Sequence, residues 1–259
     1  MSAPTSRAWR FIVAVAVVAN IAFNYLYERL GLPSNAVVSR RYDNLFTPAG
    51  YAFAIWGVIY LAFVVVAVQG LRRAHRDDRA FDRLAPLLAL ANVLLSVWIV
   101  IFASDWIWAS VVVIVATLIV AIAMFLIAGD EVARGRSPWL RAPFSLFLGW
   151  LSVATIADVA AALTSSGWDG GVQSPSAWAV TMLVVAAALG ASIALRYRAP
   201  VVALVLAWAT YAIHVKVRAI DADVSAIAIG AAGVSAVAAV IAAIMLVGGG
   251  RRRAPASEP

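Results

Sequence analysis

The chain consists of long apolar runs separated by short clusters of charged and polar residues. Eight of these runs are long enough to cross roughly 30 Å of hydrocarbon as helices. They cover residues 11–27, 51–68, 84–102, 106–128, 140–163, 178–195, 200–215 and 224–247. Only Ala103, Ser104 and Asp105 separate the third run from the fourth, so we predict a tight helical hairpin there. The pattern predicts an all-α, polytopic membrane bundle of about eight transmembrane helices.

Composition agrees with a membrane protein and excludes several classes of function. Of the 259 residues, 64% are hydrophobic and 13% are charged, which is too little charge for the surface of a soluble enzyme. The chain has no cysteine and two histidines, which excludes zinc–thiolate, iron–sulfur and multi-haem sites. No nucleophilic triad, phosphate-binding glycine loop or metal-binding cluster is visible. We therefore predict no catalytic residues, no metal site and no cofactor.

The basic residues predict the orientation of the helices. Of the 20 lysines and arginines, 15 fall at the two termini or in the loops after the second, fourth and sixth runs. Positive charge collects on the cytoplasmic side, so we predict an inner or plasma membrane protein with both termini in the cytoplasm. Topology and anionic lipid explain the net charge of +7, and no nucleic-acid partner is expected. Residues 249–259 are predicted to form a disordered basic tail.

Aromatic residues inside the runs are candidates for ligand binding. Phe53, Trp56 and Tyr60 share one face of the second predicted helix. Trp98 and Trp150 lie deep in the third and fifth runs. Most interior aromatic rings fill volume, whereas a set of them also suits a flat apolar ligand. From spacing alone, packing and ligand binding both stay open.

Polar residues in the runs give a second set of candidates. Asp158 interrupts the apolar fifth run, and a carboxylate in a membrane is costly unless it is protonated or hydrogen-bonded. It is either a functional group or a structural partner of Asn20, Asn24 or Asn92 on neighbouring helices. Asn92 and Ser96 are one helical turn apart and should point into the bundle. Both interpretations of Asp158 stay open.

Three short motifs resemble those of one membrane protein family. Residues 46–60 read FTPAGYAFAIWGVIY, with Trp56 and Tyr60 four residues apart. Residues 92–96 read NVLLS, and residues 147–150 read FLGW, followed by Asp158. In this order the motifs resemble the tryptophan-rich sensory protein, or translocator protein, family. The family's tryptophan in the second motif is replaced by Leu95, with Trp98 one turn later, and Asp158 stands where the family has asparagine.

The resemblance covers residues 8–165 and implies a five-helix bundle, with three additional helices in residues 166–248. It implies a pocket for a porphyrin, haem or sterol-like molecule, closed by the loop of residues 28–50, called loop one below. We therefore expect a receptor or sensor, with a small-solute or proton-coupled permease and an assembly subunit as alternatives, and a homodimer as one possible state. The residues expected to line or support the pocket are Tyr51, Phe53, Trp56, Tyr60, Asn92, Trp98, Trp150 and Asp158.

Overall fold

The computed structural model describes residues 4–72, 78–168, 171 and 173–251, and these residues form helices and turns with no strand among them. Eight of the helices are long and apolar enough to cross a membrane, which confirms the predicted number. The helices are α1 (Pro4–Leu26), α2 (Asn35–Arg41), α3 (Ile55–Leu71), α4 (Arg79–Ala103), α5 (Ile107–Ala133), α6 (Ala142–Ser165), α7 (Pro175–Tyr197), α8 (Pro200–Val217) and α9 (Ala222–Arg251).

Two local features explain where α4 begins and ends. The Asp78 side chain accepts a hydrogen bond from the Ala80 backbone N–H at 3.0 Å, so α4 begins five residues before the predicted apolar run. At the other end, Asp105 adopts a positive φ of 66°, and the Trp106 N–H donates to the Ile101 carbonyl at 3.1 Å. The chain reverses there within three residues, which confirms the predicted hairpin between α4 and α5.

Polar contacts bring one group of connections together at one end of the bundle. Arg10 near the start of α1 donates to the Asp78 carbonyl at 3.2 Å, and Arg136 after α5 contacts the Asp78 carboxylate at 2.6 Å. Arg141 before α6 donates to the Arg198 carbonyl, between α7 and α8, at 2.7 Å. These are segments whose basic residues predict a position on the cytoplasmic side. Part of that surface, residues 73–77, lies outside the described residues.

The remaining connections meet at the opposite end. The Tyr42 hydroxyl in loop one donates to Asp105, between α4 and α5, at 2.9 Å. Lys216 near the end of α8 forms an ion pair with Asp43 of loop one. Successive helices therefore cross the bundle in alternating directions, as a multi-pass membrane protein requires.

Helices α7 and α8 pack on the first five spanning helices, and α9 packs on α7 and α8. Val202 and Leu206 of α8 and Leu183 of α7 belong to the same buried cluster as Phe63 and Trp150. Beside Trp150, Gly149 brings the backbones of α6 and α8 close together. The described part of α9 extends to residue 251, inside the segment predicted to be disordered, and residues 252–259 lie outside the described residues.

Large apolar side chains cover much of the outer surface. Phe11, Val112, Ile119 and Ile244 are each more than 60% exposed, on three different helices. A soluble monomer rarely exposes so much continuous apolar surface, whereas a bilayer covers it. The chain is a multi-pass membrane protein.

Candidate functional site

A cavity lies where loop one covers α3, α4 and α6, and it is called the loop-one cavity below. In this closed conformation its volume is about 50 Å³, whereas small-molecule pockets measure roughly 300–1,000 Å³. A flat ligand therefore requires loop one or the rings to move. The cavity is lined by Asn35, Ser39, Thr47, Pro48, Phe53, Trp56, Trp98, Phe102, Trp150, Val153, Ala154, Ala157, Asp158 and Ala161.

Aromatic rings form the inner wall of the cavity. Trp150 packs edge-to-face against Trp56, with ring centroids 6.2 Å apart, and against Phe53, with centroids 5.9 Å apart. On the α4 side, Trp98 stacks on Phe102 at 5.0 Å and an interplanar angle of 15°. Such walls offer both faces and edges to a flat apolar ligand. The structure thus brings four of the predicted aromatic residues to one site.

Asp158 is the acidic residue of the cavity wall, and its partners differ from those expected. Its carboxyl group accepts a hydrogen bond from Trp98 Nε1 at 3.1 Å and lies 3.0 Å from Ser110 Oγ on α5. The suggested pairing with asparagines on neighbouring helices is wrong, because these asparagines face the interface of α1 with α3 and α4. Among the described residues, Asp158 forms no ion pair.

The Ser110 hydroxyl has one proton and two neighbouring acceptors. Ser110 Oγ lies 2.7 Å from the Ile107 carbonyl, one turn earlier in α5, and 3.0 Å from both oxygens of Asp158. The hydroxyl can donate to Ile107 and accept from a protonated Asp158, or it can donate to Asp158, whose oxygens accept whether or not the carboxyl group is charged. The contact can therefore accommodate Asp158 in either protonation state.

Two polar atoms of residues lining the cavity lack a hydrogen-bond partner. Trp150 Nε1 and Asn35 Oδ1 are both buried and unpaired, and only Thr155 and Ser235 share this property among the described residues. A buried polar group without a partner costs about 1–3 kcal/mol, so such groups are rare in folded proteins. Both residues line the loop-one cavity, so a molecule bound there is a candidate for the missing partner.

Loop one is held over the cavity from two directions. Ser34 caps α2, and the Asn35 N–H donates to the Tyr27 hydroxyl at 3.0 Å. From the α8 side, Lys216 donates to the Asn44 carbonyl at 3.0 Å, and Ala49 N–H donates to the Ala212 carbonyl at 3.1 Å. The family resemblance implies that loop one closes the pocket, but it does not identify the four cavity residues that loop one supplies, which are Asn35, Ser39, Thr47 and Pro48. The helix-start pattern Ser34–Asn35 was a usable indication of α2.

Three of the predicted site residues lie outside the cavity wall. Tyr51 packs edge-to-face on Trp208 of α8 with centroids 5.3 Å apart. Tyr60 stacks on Trp56, and its hydroxyl accepts a hydrogen bond from Asn24 of α1. These contacts place both tyrosines behind or beside the aromatic wall, where they support it.

Asn92, the third of these residues, belongs to the contact between α1 and α4. Its side-chain oxygen accepts from Asn20 Nδ2 at 3.1 Å, and its own Nδ2 donates to the Leu88 carbonyl at 2.8 Å. Ser96 Oγ donates to Asn20 Oδ1 at 3.0 Å. The predicted pair Asn92 and Ser96 therefore joins α4 to α1 through Asn20, as interhelical hydrogen bonds in membranes do.

Three larger cavities lie elsewhere in the described part of the chain. One, of about 320 Å³, lies on the other side of loop one and is bordered by Trp168, Trp178 and Lys216. A second, of about 880 Å³, is a mostly apolar groove between α3 and α6 on the outer surface. The third, of about 400 Å³, lies at the contact of α1 with α4 and includes one predicted site residue, Asn92. None of the three is lined by a residue with an unpaired polar atom, whereas the loop-one cavity has two such residues and five predicted site residues, so it is the stronger candidate.

Comparison with known proteins agrees with the resemblance found in the motifs. Residues 10–244 match the model of a family described as TSPO-like protein. The match includes α7, α8 and most of α9, beyond the segment 8–165 on which the motifs lie. No curated protein and no solved structure matches the chain. Because the family model covers most of the chain, the protein belongs to the TSPO-like family.

Proposed function

We propose that the protein is a membrane receptor or sensor that binds a flat hydrophobic molecule in the loop-one cavity. The observation that carries this proposal is the combination of an aromatic wall with two unpaired polar atoms, Trp150 Nε1 and Asn35 Oδ1, in residues of the same cavity. A ligand would stack on the rings and supply the missing hydrogen-bond partners. The family resemblance suggests tetrapyrroles and sterol-like molecules as the first ligands to test.

The proposed membrane is the inner or plasma membrane, with both termini in the cytoplasm. This orientation is supported by the clustering of 15 of the 20 basic residues at one set of connections. The loop-one cavity lies near the opposite end of the bundle, beside the loop one contacts to Asp105 and Lys216. A ligand would then enter from the outer side of the membrane.

Titration of the purified protein with protoporphyrin, haem and a sterol tests the proposal, with tryptophan fluorescence quenching as the measurement. Replacing Trp56 by Leu should weaken binding by about 1–3 kcal/mol, the contribution of one aromatic stacking contact. Trp150→Phe keeps an aromatic ring and removes the unpaired N–H. It should therefore weaken the binding of a ligand that accepts a hydrogen bond from that N–H.

Trp139→Leu is the matched control, because Trp139 is 82% exposed and lies in the outer groove, away from the cavity. Its affinity should equal that of the wild type. Equal weakening by all three substitutions, or unchanged affinity in the Trp56 and Trp150 variants, would contradict binding in the loop-one cavity.

A permease is the second candidate, and the Asp158–Ser110 contact is the observation that favours it. A membrane carboxyl group that can exist in two protonation states is a usual element of proton-coupled transport. Uptake of a small solute into proteoliposomes, driven by a proton gradient and lost in Asp158→Asn, would favour the permease over the receptor.

A further inference from the structure

The charge of the loop-one cavity restricts which ligands it can bind. Among the described residues that line it there is no lysine, arginine or histidine, and Asp158 is the one ionisable group. Helix α2 carries Arg40 and Arg41 nearby, but Arg41 contacts Asp105 at 3.4 Å and neither arginine lines the cavity. A negatively charged ligand group that enters the cavity would therefore meet no positive partner.

Moving a ligand anion into the cavity costs free energy in both protonation states of Asp158. If Asp158 is protonated, a ligand carboxylate loses its hydration and gains no ion pair. If Asp158 is charged, the carboxylate is also repelled by a like charge across a few ångströms of low-dielectric medium. A ligand with two carboxylates, such as a free-acid porphyrin, meets this cost unless both groups stay outside the cavity.

The polar groups of the cavity also indicate what a ligand should offer. Trp150 Nε1 is a donor only, so its partner must be an acceptor such as a carbonyl, a hydroxyl or a ring nitrogen. Asp158, when charged, accepts hydrogen bonds and provides the one charge that could pair with a ligand cation. An amine or protonated ring nitrogen on the ligand would complement it.

We propose that the cavity selects flat molecules that are neutral or singly cationic and that carry a hydrogen-bond acceptor for Trp150, and that it excludes molecules whose carboxylates must enter. This inference rests on the proposed function, because it concerns the ligand of the same site. It narrows the candidates from tetrapyrroles and sterols in general to those without buried negative charge.

Three acridines of one ring size test this selectivity: acridine is neutral, 9-aminoacridine is cationic at neutral pH, and acridine-9-carboxylate is anionic. Binding to the purified protein in non-ionic micelles is measured by tryptophan quenching and corrected for partition into protein-free micelles. Acridine-9-carboxylate should bind at least about ten-fold more weakly than acridine, and 9-aminoacridine should bind at least as tightly as acridine.

The substitution Asp158→Asn tests whether Asp158 causes the preference for a cationic ligand. This variant should weaken the binding of 9-aminoacridine by about ten-fold and change the affinity for acridine by less than about two-fold. Comparing the affinity of each probe between the variant and the wild type cancels the partition of that probe into micelles. Asp130→Asn is the matched control, because Asp130 is a carboxylate on α5 outside the loop-one cavity, and it should leave both affinities unchanged.

The outcomes separate this inference from the function on which it rests. If all three acridines bind with equal affinity and Trp56→Leu weakens all of them, the site is correct and the charge selectivity is wrong. Tighter binding of the carboxylate than of acridine also overturns the selectivity. If no acridine, porphyrin or sterol binds in a manner that depends on Trp56 or Trp150, the receptor function itself fails.

Discussion

Trp98 on α4 donates its indole N–H to Asp158 on α6 across 3.1 Å, so the carboxyl group of the cavity is held by the aromatic wall itself. Trp98 also stacks on Phe102, which fixes the plane of the indole ring. The position of Asp158 and the shape of the α4 side of the cavity are therefore coupled. A substitution of Asp158 should therefore also change the environment of the Trp98 ring.

Substitutions of Asp158 should separate hydrogen bonding from charge. Asp158→Asn keeps an acceptor for Trp98 Nε1, so folding and the binding of a neutral ligand should persist. Asp158→Leu leaves the Trp98 N–H and the Ser110 hydroxyl without this partner and should lower the free energy of unfolding by about 1–3 kcal/mol. Thermal unfolding in detergent measures the difference. Equal stability of the two variants would show that these hydrogen bonds do not support the fold.

The packing of α6 on α8 should tolerate no side chain at residue 149. A Cβ added to Gly149 would lie 3.0 Å from the Val205 Cβ and 3.1 Å from the Val202 carbonyl oxygen, and a backbone atom cannot move aside cheaply. Gly149→Ala should therefore cost about 1–3 kcal/mol of stability and displace Trp150.

Gly57→Ala on α3 is the control for this substitution, because a Cβ added to Gly57 would have no neighbouring atom within 4 Å. It should be neutral or raise stability by up to about 1 kcal/mol through helix propensity. If Gly149→Ala were as stable as Gly57→Ala, the close approach of α6 and α8 would be wrong.

The sequence predicted much of the fold for a simple physical reason. Each spanning helix must be apolar over the whole bilayer, so the eight runs and the hairpin at Ser104 are visible in the residue pattern alone. Which helix faces meet is not visible there. Ser110 was missed as the partner of Asp158, and Asn92 was assigned to the pocket, because helix rotation is set by packing between segments. Asn35 was missed because the fold of loop one depends on contacts with other segments, Tyr27 at one end and α8 at the other.

Loop one should open more readily when its contact with α8 is removed. Lys216 pairs with Asp43 and donates to the Asn44 carbonyl, and the closed cavity is too small for a flat ligand. Lys216→Gln should raise the association and dissociation rates of 9-aminoacridine by about two- to five-fold, the effect expected of an ion pair worth up to about 1 kcal/mol. Stopped-flow fluorescence measures both rates.

Arg83→Gln is the control for the opening of loop one, because it removes a comparable ion pair with Glu131 at the other end of the bundle. It should leave the ligand rates unchanged. Rates that are the same in the Lys216 variant and the wild type would mean that loop one does not control entry to the cavity.

The orientation in the membrane can be tested because the chain has no native cysteine. Ala36 lies in α2 of loop one, and Ser137 lies between α5 and α6; both are described residues at opposite ends of the bundle. In intact cells, Ala36→Cys should react with an impermeant maleimide, and Ser137→Cys should react only after lysis. The reverse pattern would place both termini outside.

Protection of single cysteines by a bound ligand tests the central claim, that the loop-one cavity is the binding site. Three alanines give matched sites: Ala157 lines the loop-one cavity, Ala160 lines the cavity on the other side of loop one, and Ala62 lines the outer groove. Each is replaced by Cys and labelled with N-ethylmaleimide, with and without saturating 9-aminoacridine. We expect 9-aminoacridine to slow labelling at residue 157 and to leave labelling at residues 160 and 62 unchanged. Protection at residue 160 or 62 with none at residue 157 would contradict the account.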